Sequence, residues 1–198
     1  TQWESDAAAG GTYTGACPYI VSNGTTPLGP LKIPCDMEVK NDAVVIMNGT
    51  LWITGNLDIK NTAIIKLAAS YGSNSGVVVV DNPANRLTSS KVIVQNSSQL
   101  IGSGSAGSYI MVVSQNNSAE LGGSEIAIEP KNSANAAIYY ATHGTLLIQN
   151  STALKEANAY AIQMKNSSTL TYESGLADVQ FSSGPAGGFN VQYWKEVQ

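Results

Sequence analysis

The sequence is poor in the side chains that carry most enzyme chemistry. Its 198 residues include one histidine, His143, one arginine, Arg86, and two cysteines. Charged residues make up 12% of the chain, about half the usual share. Phosphate-rich partners need clustered Lys and Arg. Here the lysines are scattered singly and the net charge is −4, which argues against nucleic acid as a main partner. The longest apolar runs are short pieces such as Val77 to Val80, so no membrane span or secretory leader is expected in this sequence. The opening Thr1-Gln2-Trp3-Glu4 reads as a cut from a longer protein, which would place any targeting segment upstream.

Gly, Ser, Asn and Thr fill the places that charges usually take. Apolar residues still make up 43% of the chain, enough to bury a core and to exclude disorder. They recur in one short phrase: alternating apolar residues, then Asn, a small residue and another apolar residue. It reads Val39-Lys40-Asn41-Asp42-Ala43-Val44 and Ile59-Lys60-Asn61-Thr62-Ala63-Ile64. It returns at Val94-Gln95-Asn96, Ile148-Gln149-Asn150 and Met164-Lys165-Asn166, with weaker copies around Asn82, Asn116 and Asn132. The gaps from Asn41 to Asn166 run 20, 21, 14, 20, 16, 18 and 16 residues. Repeats of that size mean stacked coils of strand.

The expected architecture is all-β: a single-domain parallel β-solenoid, a right-handed β-helix of about seven to nine coils with capped ends. Residues 1–34 read as a capping segment of extended pieces and turns, 35–172 as the coils, and 173–198 as a C-terminal cap closed by Phe189, Tyr193 and Trp194. Asn41, Asn61, Asn82, Asn96, Asn116, Asn132, Asn150 and Asn166 are expected at the corners, where Asn tolerates left-handed backbone angles. Like-placed carboxamides would also hydrogen-bond from coil to coil as a ladder. The helix-friendly stretch from Ala153 to Ala161 lies between two copies of the phrase and is therefore assigned to strand and turn. Cys17 and Cys35 read as a disulfide tying down the lead-in, worth roughly 3 kcal/mol. Two stretches, 68–76 and 81–91, are expected to bulge from the coils. Solenoid insertions often carry binding function, which makes Tyr71, Asn74, Asn85 and Arg86 the candidate partner-binding residues.

Catalytic signals are weak. Polysaccharide cleavage needs two acids flanking one bond, and no paired-acid motif occurs in the coils. His143 lacks a signalled partner, G-x-S-x-G does not occur, and the nonapeptide calcium repeat is missing. No catalytic residue, metal or cofactor is assigned.

Several phrases together carry a resemblance to a known family. They are Cys17-Pro18-Tyr19, Leu28-Gly29-Pro30-Leu31-Lys32-Ile33-Pro34-Cys35 and Gly49-Thr50-Leu51-Trp52-Ile53-Thr54-Gly55-Asn56-Leu57. Later come Leu154-Lys155-Glu156-Ala157, Gly175-Leu176-Ala177, Phe181-Ser182-Ser183-Gly184-Pro185 and Trp194-Lys195-Glu196. From about residue 12 onward the chain resembles bacterial secreted or surface coiled-strand proteins whose full-length forms often begin with a type IV pilin-like helix. The resemblance implies a pilus-associated or cell-surface module and supplies no catalytic residues.

The functional expectation is a non-catalytic extracellular module at a bacterial surface, serving adhesion, binding or structural display. Its partner would be a surface glycan or another pilus or cell-surface protein. The second reading is a carbohydrate-binding or polysaccharide-degrading β-helix. Ice binding ranks below both, because the Thr residues do not form T-x-T rows in every coil.

Overall fold

The computed structural model describes residues 1–134, 138–150 and 152–170. Its β-strands run parallel and stack coil upon coil. The first coil is β1 (Tyr19–Ser22), β2 (Thr25–Leu28) and β3 (Leu31–Ile33). The second is β4 (Met37–Lys40), β5 (Val44–Met47) and β6 (Leu51–Ile53), and the third is β7 (Leu57–Ile59), β8 (Ile64–Leu67) and β9 (Gly76–Val80). The fourth is β10 (Val92–Val94), β11 (Gln99–Ile101) and β12 (Ile110–Ser114). The stack continues through β13 (Ile126–Pro130), β14 (Ile138–Ile148), β15 (Ala153–Leu154), β16 (Glu156–Met164) and β17 (Thr169–Leu170).

Three faces result. The first is the run β1-β4-β7-β10-β13 and the third is β3-β6-β9-β12, with β14 bending around the corner to pair with both. The second face is β2-β5-β8-β11, and β15 pairs with β17 further along. Parallel register places like residues in columns: Met37, Leu57, Val92 and Ile128 form one inward column of the first face. Val45, Ile65 and Leu100 form one on the second. These side chains are buried in one continuous core, at roughly 1.5–3 kcal/mol for each fully buried aliphatic group. Tyr139 continues one column of the third face, between Val112 and Ala157, and its hydroxyl is buried without a partner. Burial raises its pKa far above the ordinary tyrosine value.

The corner between the first and second faces repeats most regularly. Asn41 and Asp42 have φ of 56° and 59°, Asn61 and Thr62 of 56° and 61°, Asn96 and Ser97 of 56° and 60°. Two consecutive left-handed residues, with Ala43 N–H donating to the Lys40 carbonyl at 3.2 Å, make a type I′ turn. The side chains then form the ladder. Asn61 Nδ2 donates to Asn41 Oδ1 at 3.3 Å, Asn96 to Asn61 at 3.1 Å and Asn132 to Asn96 at 3.0 Å. Asn150 donates to Asn132 and Asn166 to Asn150, each at 2.8 Å. Asn41 starts the column by donating to Ser22 Oγ at 3.3 Å.

Two expected corner residues lie elsewhere. Asn82 follows β9 and accepts from the Ala84 N–H at 3.2 Å, a local turn off the ladder. Asn116 is buried and donates to the Ser89 carbonyl at 2.7 Å, pinning the 81–91 loop. A left-handed residue after Asn82 is impossible because Pro83 fixes φ near −65°. Asn61 is therefore followed on the ladder by Asn96 and then Asn132, and the intervening length is taken up at the other two corners. Loops at 68–75, 81–91, 102–109 and 115–125 supply it; the first two were expected and the other two were not. Ala153 to Ala161 is strand and turn, as the flanking repeats implied.

The lead-in differs from the expected arrangement. Residues 19–33 are the first coil itself, in register with the second. Residues 2–9 form a helix, α1 (Gln2–Ala9). Thr1 accepts from the Glu4 N–H and the Glu4 side chain returns to Thr1, a capping box that the opening Thr-x-x-Glu spells out. Helix α1 lies along the outside of the third face and buries Ala7. Trp3 packs on an outward apolar cluster containing Val77, Val79, Met111 and Val113, with Trp52 beside it. The Gly11–Tyr13 backbone pairs with Lys32 and shields the β3 edge. The expected C-terminal cap, 173–198, lies outside the described residues.

Asn96→Ala removes two ladder bonds and forces a Cβ-bearing residue without a compensating carboxamide to φ 56°. It should cost about 2–3 kcal/mol in urea unfolding. Asn96→Gly loses the same bonds but tolerates the angle, so its cost should be smaller; equal losses would contradict the left-handed turn.

Candidate functional site

Among the described residues, the outer faces and two of the surface grooves offer places for chemistry. On the first face, outward Glu38, Asp58 and Glu129 form an acidic column interrupted by Ile93, beside a basic and amide column, Lys40, Lys60, Gln95 and Lys131. Glu38 and Asp58 sit directly opposite each other, an unfavourable like-charge pair if left alone. Lys60 relieves it by reaching Glu38 at 2.7 Å and Asp58 at 2.9 Å. Lys40 adds a second contact to Glu38 at 3.1 Å, and Gln95 donates to Asp58 at 3.0 Å. Further along, Glu129 holds Lys131 at 2.9 Å and accepts from Gln149 at 2.5 Å. Hydrogen bonding from Lys60, the larger effect, and then Lys40 lowers the Glu38 pKa, while its bond to Glu38 raises that of Lys60.

The third face is apolar outward and carries α1. Lys32 stacks over the Trp52 ring at 4.1 Å to the centroid, and Lys155 lies 5.1 Å from that of Tyr109. Glu156 sits in register with Ile138 of this cluster, and burial raises its pKa. The second face presents half-exposed Val44, Ile46, Ile64 and Ile101.

Candidate residues from the sequence separate in space. Cys17 and Cys35 form a disulfide, Cα atoms 6.0 Å apart, that ties the start of the first coil to its end. The bond suits an extracytoplasmic compartment. Tyr71, expected on a partner-binding insertion, has its side chain in the solenoid core at 7% exposure. Arg86 is also committed: its Nε and Nη2 donate to the buried Asp81 carboxylate at 2.8 and 2.7 Å. Asn85 is exposed, but its Nδ2 donates to Thr88 Oγ1 at 2.8 Å within the same loop. Asn74 lines a groove. His143 forms a 2.8 Å pair with Glu120 at the bend in β14.

One groove, of about 310 Å³, lies between α1 and the corner joining the second and third faces. The other, about 430 Å³, borders the disulfide and includes Asp36, Thr54 and Asn82. Beside it runs a shorter ladder that sequence reading did not find. Asp36 Oδ1 accepts from the Asn56 N–H at 2.7 Å, and Asn56 Oδ1 accepts from the Lys91 N–H at 3.0 Å. Among the described residues no group of three or more His, Cys, Asp or Glu is placed to hold a metal ion, and no helix is long and apolar enough to cross a membrane.

No family model, curated protein or solved structure matches this chain. Its own geometry therefore carries the functional argument.

The two shifted acids on the described coils act in opposite directions with pH. Glu38 is lowered in the fold, so its contribution is full above its ordinary value of 4.5 and is lost as pH falls through the lower folded value. Glu156 is raised, so it binds protons more tightly in the fold and stability falls as pH rises from 4.5 through the raised value. Glu156→Gln should therefore raise the urea midpoint at pH 7, and Glu38→Gln should lower it there while flattening the acid limb. Midpoints measured from pH 3 to pH 8 check both signs.

Proposed function

We propose that this chain is a non-catalytic extracellular module of a bacterial cell surface or type IV pilus-associated protein, which displays a rigid rod for adhesion or binding. The observation that carries the reading is the continuous carboxamide ladder from Asn41 to Asn166. It fixes every described coil to the next, so positions on the outer faces keep constant spacing over the length of the stack. A rod of that kind suits presentation of a surface at a distance from its attachment point. The disulfide adds to the case, since it staples the first coil in a way that persists under oxidising conditions. The acids on the first face support a structural role, because Glu38, Asp58 and Glu129 each hold a lysine and a second donor. The pilus association rests on the family resemblance of the sequence phrases.

A carbohydrate-active enzyme is the competing reading. Beads coated with the purified chain should be retained on bacterial or glycan-coated surfaces, and incubation with soluble polysaccharides should release no reducing ends. Depolymerisation, abolished by substitution of a carboxylate, would replace the display reading with the enzymatic one.

A further inference from the structure

We propose that the groove between α1 and the stacked corners of the first three coils binds a neutral sugar unit. The inference deepens the binding reading above and rests on it. The groove has about 310 Å³ of space, within the usual range for small-ligand sites. It is assembled from four separate parts of the chain: Asp6 of α1, Pro30 after β2, Asn48 and Gly49 after β5, and Ser70 and Asn74 before β9. The coil residues come from three successive rungs, which lie about 4.8 Å apart in a parallel stack. The polar groups therefore span a length suited to one or two sugar rings.

The chemistry of the lining selects the ligand class. Asn48 and Asn74 each offer a carboxamide with donor and acceptor sites, and Ser70 adds a hydroxyl. Among the described residues these three side chains have no hydrogen-bond partner. Asp6 accepts from Gln2 Nε2 at 2.8 Å through one oxygen, which leaves the other for a ligand hydroxyl. A polyol uses all of these at once, because each hydroxyl both donates and accepts. Pro30 and the Gly49 backbone supply an apolar flank for the C–H face of a ring. Pro30 packs so tightly on Gly49 that a Cβ there would lie 2.5 Å from the proline nitrogen, so the flank is fixed. Asp6 supplies the one formal charge of the lining, and it is negative. Uronic and sialic acids are disfavoured on that ground.

Helix α1 forms one wall, and its position is set elsewhere. Ala7 is fully buried, and Trp3 packs on the outward cluster of the third face. The wall therefore stays in place when Asp6 is changed, which makes the site testable without dismantling the fold.

The test is NMR of the full chain titrated separately with methyl glucoside, methyl galactoside, methyl mannoside and N-acetylglucosamine, with N-acetylneuraminic acid as the anionic comparator. At least one neutral sugar should shift the Asn48, Gly49 and Asn74 amides and receive saturation transfer, while the anionic comparator should not. Asp6→Ala and Asn74→Ala, one from each wall, should each weaken that binding about tenfold and leave the far-UV dichroism unchanged. Silence of these amides with every neutral sugar overturns the assignment, as does binding that survives both substitutions. Bead retention with silent titrations overturns the groove alone. A sugar response without retention supports the groove and overturns surface display.

Discussion

A turn that needs two consecutive left-handed residues is an expensive device to repeat at one corner of a coil. Non-glycine residues avoid positive φ, and a β-branched residue such as Thr62 at φ 61° does so strongly. The corner persists because its neighbours recover the cost. The N–H of the second turn residue reaches the Asn carbonyl of the next coil, as from Asp42 to Asn61 and Thr62 to Asn96. Thr62 also places its hydroxyl on the Asp42 carboxylate and on the Asn61 carbonyl. Asparagine alone among the small side chains that tolerate this backbone has both an amide donor and a carbonyl acceptor, so identical residues link upward and downward without limit. An ionised Asp accepts only, and a column of them would repel itself. The rest of the molecule depends on this corner.

Holding one corner constant frees the other two. The described coils have unequal lengths, and every extra residue appears between the second and third faces or between the third and first. Both grooves lie at those corners, as do the 81–91 loop and the 3₁₀ turn at Ala69–Tyr71. Function is expected where variation is structurally cheap. Insertion length is a poor guide to exposure, however. Tyr71 turns inward as a plug, and Arg86 is drawn onto Asp81, where it neutralises a carboxylate that is 1% exposed. The longest excursions are therefore tied down from within, and the groove lining comes largely from short turns.

What was legible in the sequence follows the range of the forces involved. The ladder asparagines could be read because a type I′ turn is local and its small third residue, as in Asn41-Asp42-Ala43, recurs beside it. Asn82 was separable in principle, since Pro83 forbids the turn. Asn116 was not, because Gln115-Asn116-Asn117-Ser118 has the ladder spelling and only the packing of a distant loop decides its place. Helix α1 announced itself through Thr1, Glu4 and Gly10, but the Gly and Pro content of the following residues masked that signal. The Asp36–Asn56–Lys91 ladder joins residues whose spacing is set by an insertion, so no periodicity reveals it. The groove beside α1 joins a helix to three coils, and no local pattern could have indicated it.

Slips of one and of two residues along the first face are excluded by different forces. A parallel strand slipped by one residue would turn Glu38, Lys40, Asp58 and Lys60 into the core and expose Met37, Val39, Leu57 and Ile59. A slip by two residues preserves the alternation, so burial alone does not forbid it. The charges do not forbid it either: shifting β7 by two positions against β4 sets Lys60 directly opposite Glu38, while the Lys60–Asp58 and Lys40–Glu38 contacts lie within single coils and survive. In the observed register Lys60 bridges Glu38 of the neighbouring coil and Asp58 of its own coil, and Asp58 takes a further donor in Gln95. Ile93 then separates the Glu38–Asp58 pair from Glu129, so acidic neighbours do not accumulate along the stack. What the two-residue slip does break is the ladder, because it takes Asn61 off Asn41. The carboxamide ladder thus specifies one alignment at the corner where the first face ends, and the apolar interior supplies the stability that makes the alignment worth specifying.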